Sequence, residues 1–163
     1  MFVYSVRAST VKFVGFVLLS FALLFGIVFG GEGSVVSALS DAVTVDYSGI
    51  RDNDDRIAFI TQFGVRVGEE CVAEESFTMP KNFDRVILGY NELQKKQGLD
   101  LSKYANKKVT RYTYRAENYN SEGEVFVNLF VHRGKIVACD ISSADPDGFV
   151  IPLTLVEKSD LKQ

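Results

Sequence analysis

The sequence predicts an α+β protein: two helices packed on a mainly antiparallel sheet, preceded by one transmembrane helix. Three observations point there. An uncharged apolar run extends from Phe13 to Gly31. Two later stretches, around Ile57 and around Val86, carry apolar residues at helical spacing. Between Lys107 and Ser143 the residues alternate with period two around a turn at Arg133-Gly134.

The apolar run is long enough to matter. A bilayer core of about 30 Å needs roughly 20 apolar residues in a helix, and in lipid only a helix satisfies such a segment's backbone. Lys12 at one end can snorkel. A cleaved signal peptide is the competing reading, with Val36-Ser37-Ala38 as a weak cleavage site. Its apolar region, however, would be roughly 7–15 residues. The spacing Gly26-x-x-x-Gly30 is a weak helix-contact signal in a span with several glycines. Arg7 and Lys12 precede the span, whereas Glu32, Asp41 and Asp46 follow it and no Lys or Arg comes before Arg51. The positive-inside rule therefore expects residues 1–12 in the cytoplasm and the C-terminal domain outside, in a single-pass protein of the cell membrane.

Residues 32–50 read as a tether, with Gly33, Ser34, Ser37, Ser40, Ser48 and Gly49 among small and β-branched residues. The domain is expected over 51–163, long enough to bury a core without disulfides or metal. It holds 16 Lys and Arg against 18 Asp and Glu, and the whole chain has a formal net charge of -3. Such balance supplies no electrostatic steering onto nucleic acid, and no nucleic-acid partner is expected.

Within the domain, Asp52-Asn53-Asp54-Asp55 offers an N-cap and acidic first turn to a helix carrying Ile57, Phe59, Ile60 and Phe63. Gly64 stands where a left-handed C-cap is expected. Val65 and Val67 suggest a short strand, and Cys71 to Met79 a second one stopped by Pro80. Phe83, Val86, Ile87, Tyr90 and Leu93 form the core-facing stripe of a second helix. Gln94-Lys95-Lys96-Gln97 extends that helix and Gly98 closes it. Three strands follow, over Lys107–Glu117, Glu124–His132 and Lys135–Ser143. The middle one is apolar on both faces and is expected at the centre, with helices covering one face. Asp145-Pro146-Asp147-Gly148 reads as a turn before the apolar run Phe149–Leu153.

Several of these stretches occur together in a known family. They are Asp55–Ile60 with Gln62-Phe63-Gly64, Tyr90–Gly98, Leu101-Ser102 with Tyr104, Val109–Tyr114, and Asp147-Gly148-Phe149. Over roughly Arg51 to Leu153 the chain resembles a bacterial domain of unknown function, number 4830 in that series. It is similar to domains that follow a single N-terminal span, mostly in Clostridia-like bacteria. The resemblance implies domain boundaries and membrane tethering, and brings no activity, substrate or functional residue with it.

No catalytic, cofactor-binding or metal-ligating residue is assigned from the sequence. His132 is the lone histidine, and with Cys71 and Cys139 as the two cysteines it falls short of a zinc set. His132 reads as a strand-end residue. Cys71 and Cys139 are expected in strands as buried thiols, with a disulfide as the alternative in an exported domain. A Cys139–His132 nucleophile would need an exposed thiol. Lys107, Arg111 and Arg115 form a basic stripe, with Lys103 and Lys108 nearby, that could meet anionic headgroups or a wall polymer. Its ordinary reading is a solvated face paired with acidic neighbours, and Tyr112 and Tyr114 lie on the opposite face. Asp140, Asp145 and Asp147 could suggest paired carboxylates, although the last two suit a turn. The functional expectation is a membrane-anchored extracytoplasmic binding or interaction module, with the membrane and an unknown protein or cell-envelope component as partners. An exported hydrolase without a recognisable motif is the alternative.

Overall fold

The computed structural model describes residues 45–145 and 147–162. The predicted span Phe13–Gly31 lies outside them, as do the tether residues up to 44.

In chain order the elements are α1 (Asn53–Thr61), β1 (Ala73–Thr78), α2 (Arg85–Lys95), β2 (Lys108–Arg115), β3 (Val125–His132), β4 (Lys135–Ser143) and β5 (Val150–Pro152). Short 3-10 turns occupy Leu101–Tyr104, Leu153–Leu155 and Lys158–Asp160. The five strands form one antiparallel meander in the order β1-β2-β3-β4-β5. The protein is α+β, and β3 is the central strand as its two apolar faces predict.

The local signals act as expected at the helix ends. The Asp52 carboxylate accepts from the Asp55 N–H at 3.0 Å and caps α1. Asp84 does the same for α2 through the Ile87 N–H, at 2.8 Å. Gly64 after α1 has φ +78°, and a Cβ there would stand 3.0 Å from Leu161 Cδ1. Arg133 and Gly134 both have positive φ, 49° and 72°. That is the backbone a two-residue hairpin turn needs to join twisted strands.

The helices do not share one face of the sheet. Phe59 and Ile60 of α1 pack with Tyr114, Val125, Val127, Leu129, Cys139 and Ile141. Tyr90 of α2 packs with Val109, Phe130 and Ala138, residues of the alternate positions and hence of the opposite face. A strand that is apolar on both sides has to be covered on both sides. A bulge between Phe130 and Val131 interrupts the β3–β4 register.

Other sequence expectations need correction. The strand proposed around Val65 and Val67 is a single bridge from Val67 to Ala116. There the Asn118 side chain takes the Arg66 N–H at 2.7 Å and gives a hydrogen bond to the Gly64 carbonyl at 2.9 Å. The strand expected from Cys71 begins at Ala73. The apolar run after the Asp145 turn is a strand, β5. The packed body also begins upstream of Arg51, inside the segment expected to be a tether. Val45, Tyr47 and Ile50 pack on the core, the Ile136 N–H donates to the Tyr47 carbonyl, and the Ile50 N–H donates to the Gly134 carbonyl.

Helix α2 is the largest departure in packing. Of its predicted stripe only Tyr90 is fully buried; Phe83, Val86, Ile87 and Leu93 are half-buried. Its deep side is polar, with Asn91, Gln94 and, just beyond the helix, Gln97. The two glutamines stand in for a neighbouring strand where β5 does not reach. Gln94 Oε1 accepts from the Cys139 N–H at 2.9 Å and Gln97 Nε2 donates to the Cys139 carbonyl at 2.6 Å. Gln97 Nε2 also donates to Gln94 Oε1 at 2.7 Å. Replacing Gln97 by Leu keeps the bulk and leaves that carbonyl buried without its donor. The expected cost is about 1–3 kcal/mol in urea unfolding, against a change within about 0.5 kcal/mol for Lys96→Ala on the exposed side.

Candidate functional site

On the sheet face that carries α2, polar residues run across three strands in one row. Thr113, Asn128 and Asp140 are register partners of β2, β3 and β4. Thr113 Oγ1 donates to Asn128 Oδ1 at 2.9 Å. Asn128 Nδ2 donates to Asp140 Oδ1 at 2.9 Å and to Ser142 Oγ at 3.2 Å. From above the sheet, the Tyr90 hydroxyl of α2 donates to Asp140 Oδ2 at 2.5 Å. Asp140 retains 4% of its surface, Ser142 7% and Thr113 9%. One row further along, Arg111 pairs with Glu75 of β1 at 2.8 Å.

Burial sets the electrostatics of this row. It pushes the Asp140 carboxyl up to about 6, against the hydrogen bonds from Tyr90 and Asn128, the Arg111 charge and a Ser142 hydrogen bond, all of which lower it. Burial, reinforced by the Asp140 charge, drives the Tyr90 hydroxyl well above the ordinary phenol range. The Asp140 carboxyl therefore exchanges its proton at about pH 6, and each of its two oxygens has a hydrogen-bond partner.

The sequence candidates fall elsewhere. His132 lies at the end of β3, its Nδ1 2.6 Å from the Lys108 carbonyl and its ring 5.6 Å from that of Tyr104. Cys139 points into the core on the other face, so the two do not form a nucleophilic pair. Its thiol is pushed far up by burial, which keeps it protonated and unreactive. Both cysteines are free, Cys71 half-buried in the loop before β1. The two arginines of the basic stripe are paired in place: Arg111 is buried against Glu75, and Arg115 pairs with Glu124 at 2.7 Å. Tyr112 and Tyr114 are on the opposite face, where Arg56 lies 3.8 Å over the Tyr112 ring and donates to the Tyr114 oxygen at 2.7 Å. Asp145 and Asp147 are exposed around a hydrogen-bonded turn in which Asp145 Oδ1 accepts the Asp147 N–H at 2.9 Å. They do not join Asp140, which is buried. Among the described residues no group of His, Cys, Asp and Glu could hold a metal ion.

What the sequence reading missed is the row itself. Its signal was present as a carboxylate between Cys139 and Ile141, in a strand otherwise apolar, and an amide at Asn128 in the strand beside it.

Fold and site together define a small α+β domain, with one helix on each face of a five-stranded meander and a buried carboxyl under the second helix. Residues 59–141 match the family described as domain of unknown function DUF4830, and the chain belongs to that family. No curated protein and no solved structure matches it. Among the described residues no helix is long and apolar enough to cross a membrane.

The raised Asp140 carboxyl has a definite consequence for stability. Its folded value of about 6 lies above the ordinary 3.8, so the folded protein binds this proton more tightly than the unfolded chain. The contribution is complete below about 3.8 and is lost as pH rises through about 6. Asp140→Asn, neutral at every pH, should therefore be more stable than the parent at pH 8, by on the order of 2–3 kcal/mol. The advantage should shrink to nothing by pH 4. Urea unfolding of both proteins across this range checks it, and a pH-independent difference would contradict the assignment.

Proposed function

We propose that this protein is a membrane-anchored extracytoplasmic binding or interaction module. The observation that carries the reading is the uncharged run Phe13–Gly31, with Arg7 and Lys12 before it and Glu32, Asp41 and Asp46 after it. That run suits a bilayer in length, and its flanks orient the domain outward. The domain's own chemistry favours binding over hydrolysis. Asp140, whose proton affinity would suit acid–base work, is enclosed beneath Tyr90 and has both oxygens hydrogen-bonded. A substrate has no evident approach to it. The basic side chains Arg111 and Arg115 are each matched by a carboxylate, so an anionic polymer is not the favoured partner. A protein or uncharged envelope component is.

Two measurements on the full chain test the reading. Alkaline phosphatase fused after Gln163 should be active in intact cells, since that enzyme matures only outside the cytoplasm. After lysis the protein should sediment with membranes and resist extraction by high salt and carbonate. A fusion active only as a cytosolic reporter, or a protein that stays in the supernatant, would remove the proposal.

A further inference from the structure

We propose that the end of the domain bearing the β3–β4 turn is a lipid-docking surface, on which Lys107, Lys108, Arg133 and Lys135 meet the anionic headgroups of the membrane that anchors the chain. This docking rests on the anchored reading above and fixes which end of the domain faces the bilayer.

The first ground is a gathering of cations. Lys108 opens β2, and His132 and Lys135 flank the turn that joins β3 to β4. The Lys108 carbonyl lies 2.6 Å from His132 Nδ1, and the Lys107 N–H donates to the Tyr104 carbonyl at 3.0 Å. These contacts bring Lys103, Lys107, Lys108, Arg133 and Lys135 to one end of the sheet, around the half-buried rings of Tyr104 and His132. All five cations are exposed, and none forms an ion pair among the described residues. Asp46 near Lys135 and Asp100 near Lys103 offset part of the charge, each hydrogen-bonded to a serine, Ser48 or Ser102. At the other end of the strands, where Val67 bridges to Ala116 and the Ala144 N–H meets the Glu124 carbonyl, carboxylates prevail. Glu69, Glu70, Glu117, Glu122, Asp145 and Asp147 are exposed there. The near-balance of charge over the domain thus conceals two ends of opposite sign.

The second ground is the place where the chain comes in. The Ile50 N–H donates to the Gly134 carbonyl at 2.9 Å and the Ile136 N–H to the Tyr47 carbonyl at 2.8 Å, so Val45–Ile50 runs alongside the same turn. Upstream of Val45, residues 32–44 alone separate the body from the apolar run ending at Gly31. Even a fully extended chain of that length spans no more than about 45 Å. The basic end is therefore the end at which the tether arrives, and the bilayer stays within its reach. Anionic headgroups attract Lys and Arg held near the surface. They repel the acidic far end, so the same field orients the domain as it draws it down. Tyr104 combines an apolar ring with a polar tip, as suits a side chain at the headgroup level. A soluble envelope polyanion shares the phosphate chemistry, but nothing holds it beside the turn.

Lysine labelling of the full chain in reconstituted vesicles, with a membrane-impermeant amine reagent and mass spectrometry, tests this. Lys107, Lys108 and Lys135 should label roughly fivefold more slowly when about a third of the phosphatidylcholine is replaced by phosphatidylglycerol. The difference should vanish in about 1 M salt, where the screening length is about 3 Å. Lys158 and Lys162, at the acidic end beside Tyr119 and Asn118, should label alike in both vesicles. Equal labelling of the basic-end lysines in the two lipids, or equal slowing of Lys158 and Lys162, would overturn the docking. Slowing by soluble polyglycerol phosphate but not by phosphatidylglycerol would also overturn it and assign the surface to an envelope polymer. Lys107→Gln, Lys108→Gln, Arg133→Asn and Lys135→Gln combined, in which Asn-Gly suits the turn, should remove most of the lipid effect at Lys103. Its persistence there would count against the surface. A chain that does not float with phosphatidylcholine vesicles loses the anchor and the docking together, whereas one that floats without lipid dependence keeps the anchor and loses the docking alone.

Discussion

β3 sends Val125, Val127, Leu129 and Val131 to one side of the sheet and Phe126, Asn128 and Phe130 to the other. A strand of this kind cannot sit at an edge or face water on either side without exposing a large apolar surface. From that requirement the rest follows. The strand takes the centre of the meander, with β2 and β4 beside it. One side is closed by α1 and by the segment from Val45 to Ile50. The other side needs its own cover, and α2 supplies it over Phe130 and Ala138. Two helices separated by a strand in sequence thus end on opposite faces.

The second face is only partly apolar, and this decides the character of α2. Beside Phe130 the face continues as Thr113, Asn128, Asp140 and Ser142, which no leucine or valine could cover without stranding donors and acceptors. The covering helix has to be polar where it meets them. Tyr90 serves both needs: its ring lies 5.8 Å from that of Phe130 while its hydroxyl meets Asp140. Gln94 and Gln97 extend the same logic to the open edge of β4. The arrangement leaves one buried donor, Gln94 Nε2, without a hydrogen bond among the described residues. A polar interface of this sort specifies the docking geometry closely and contributes less stability than apolar packing of equal area.

Much of this was legible in the sequence. Period-two alternation with Arg133-Gly134 located β3 and β4 to the residue at the turn, because a two-residue hairpin admits few sequences and fixes register. Asp52, Gly64 and Gly98 marked helix ends, because caps act within one turn and need no tertiary information. The α2 interior was not legible. Gln94 and Gln97 look like solvent-facing helix formers until β4 is placed beside them, and their partners lie more than forty residues away. The same holds for Asp140: a lone carboxylate in an apolar strand announces a conflict, but which donors resolve it depends on register and on a helix whose Tyr90 lies 50 residues upstream. β5 was hidden for a different reason. Three residues ending in Pro152 are too few for any pattern, and it forms because β4 offers it an edge.

A row of groups that satisfy one another has little capacity left for a ligand. Thr113 is spent on Asn128, Asn128 on Asp140 and Ser142, and Asp140 on Tyr90. Each donor withdrawn to meet a substrate would leave a buried acceptor bare, at a cost comparable to the hydrogen bond gained. Chemistry at this row would therefore require the helix above it to move first. With α2 seated, the network is structural and closed.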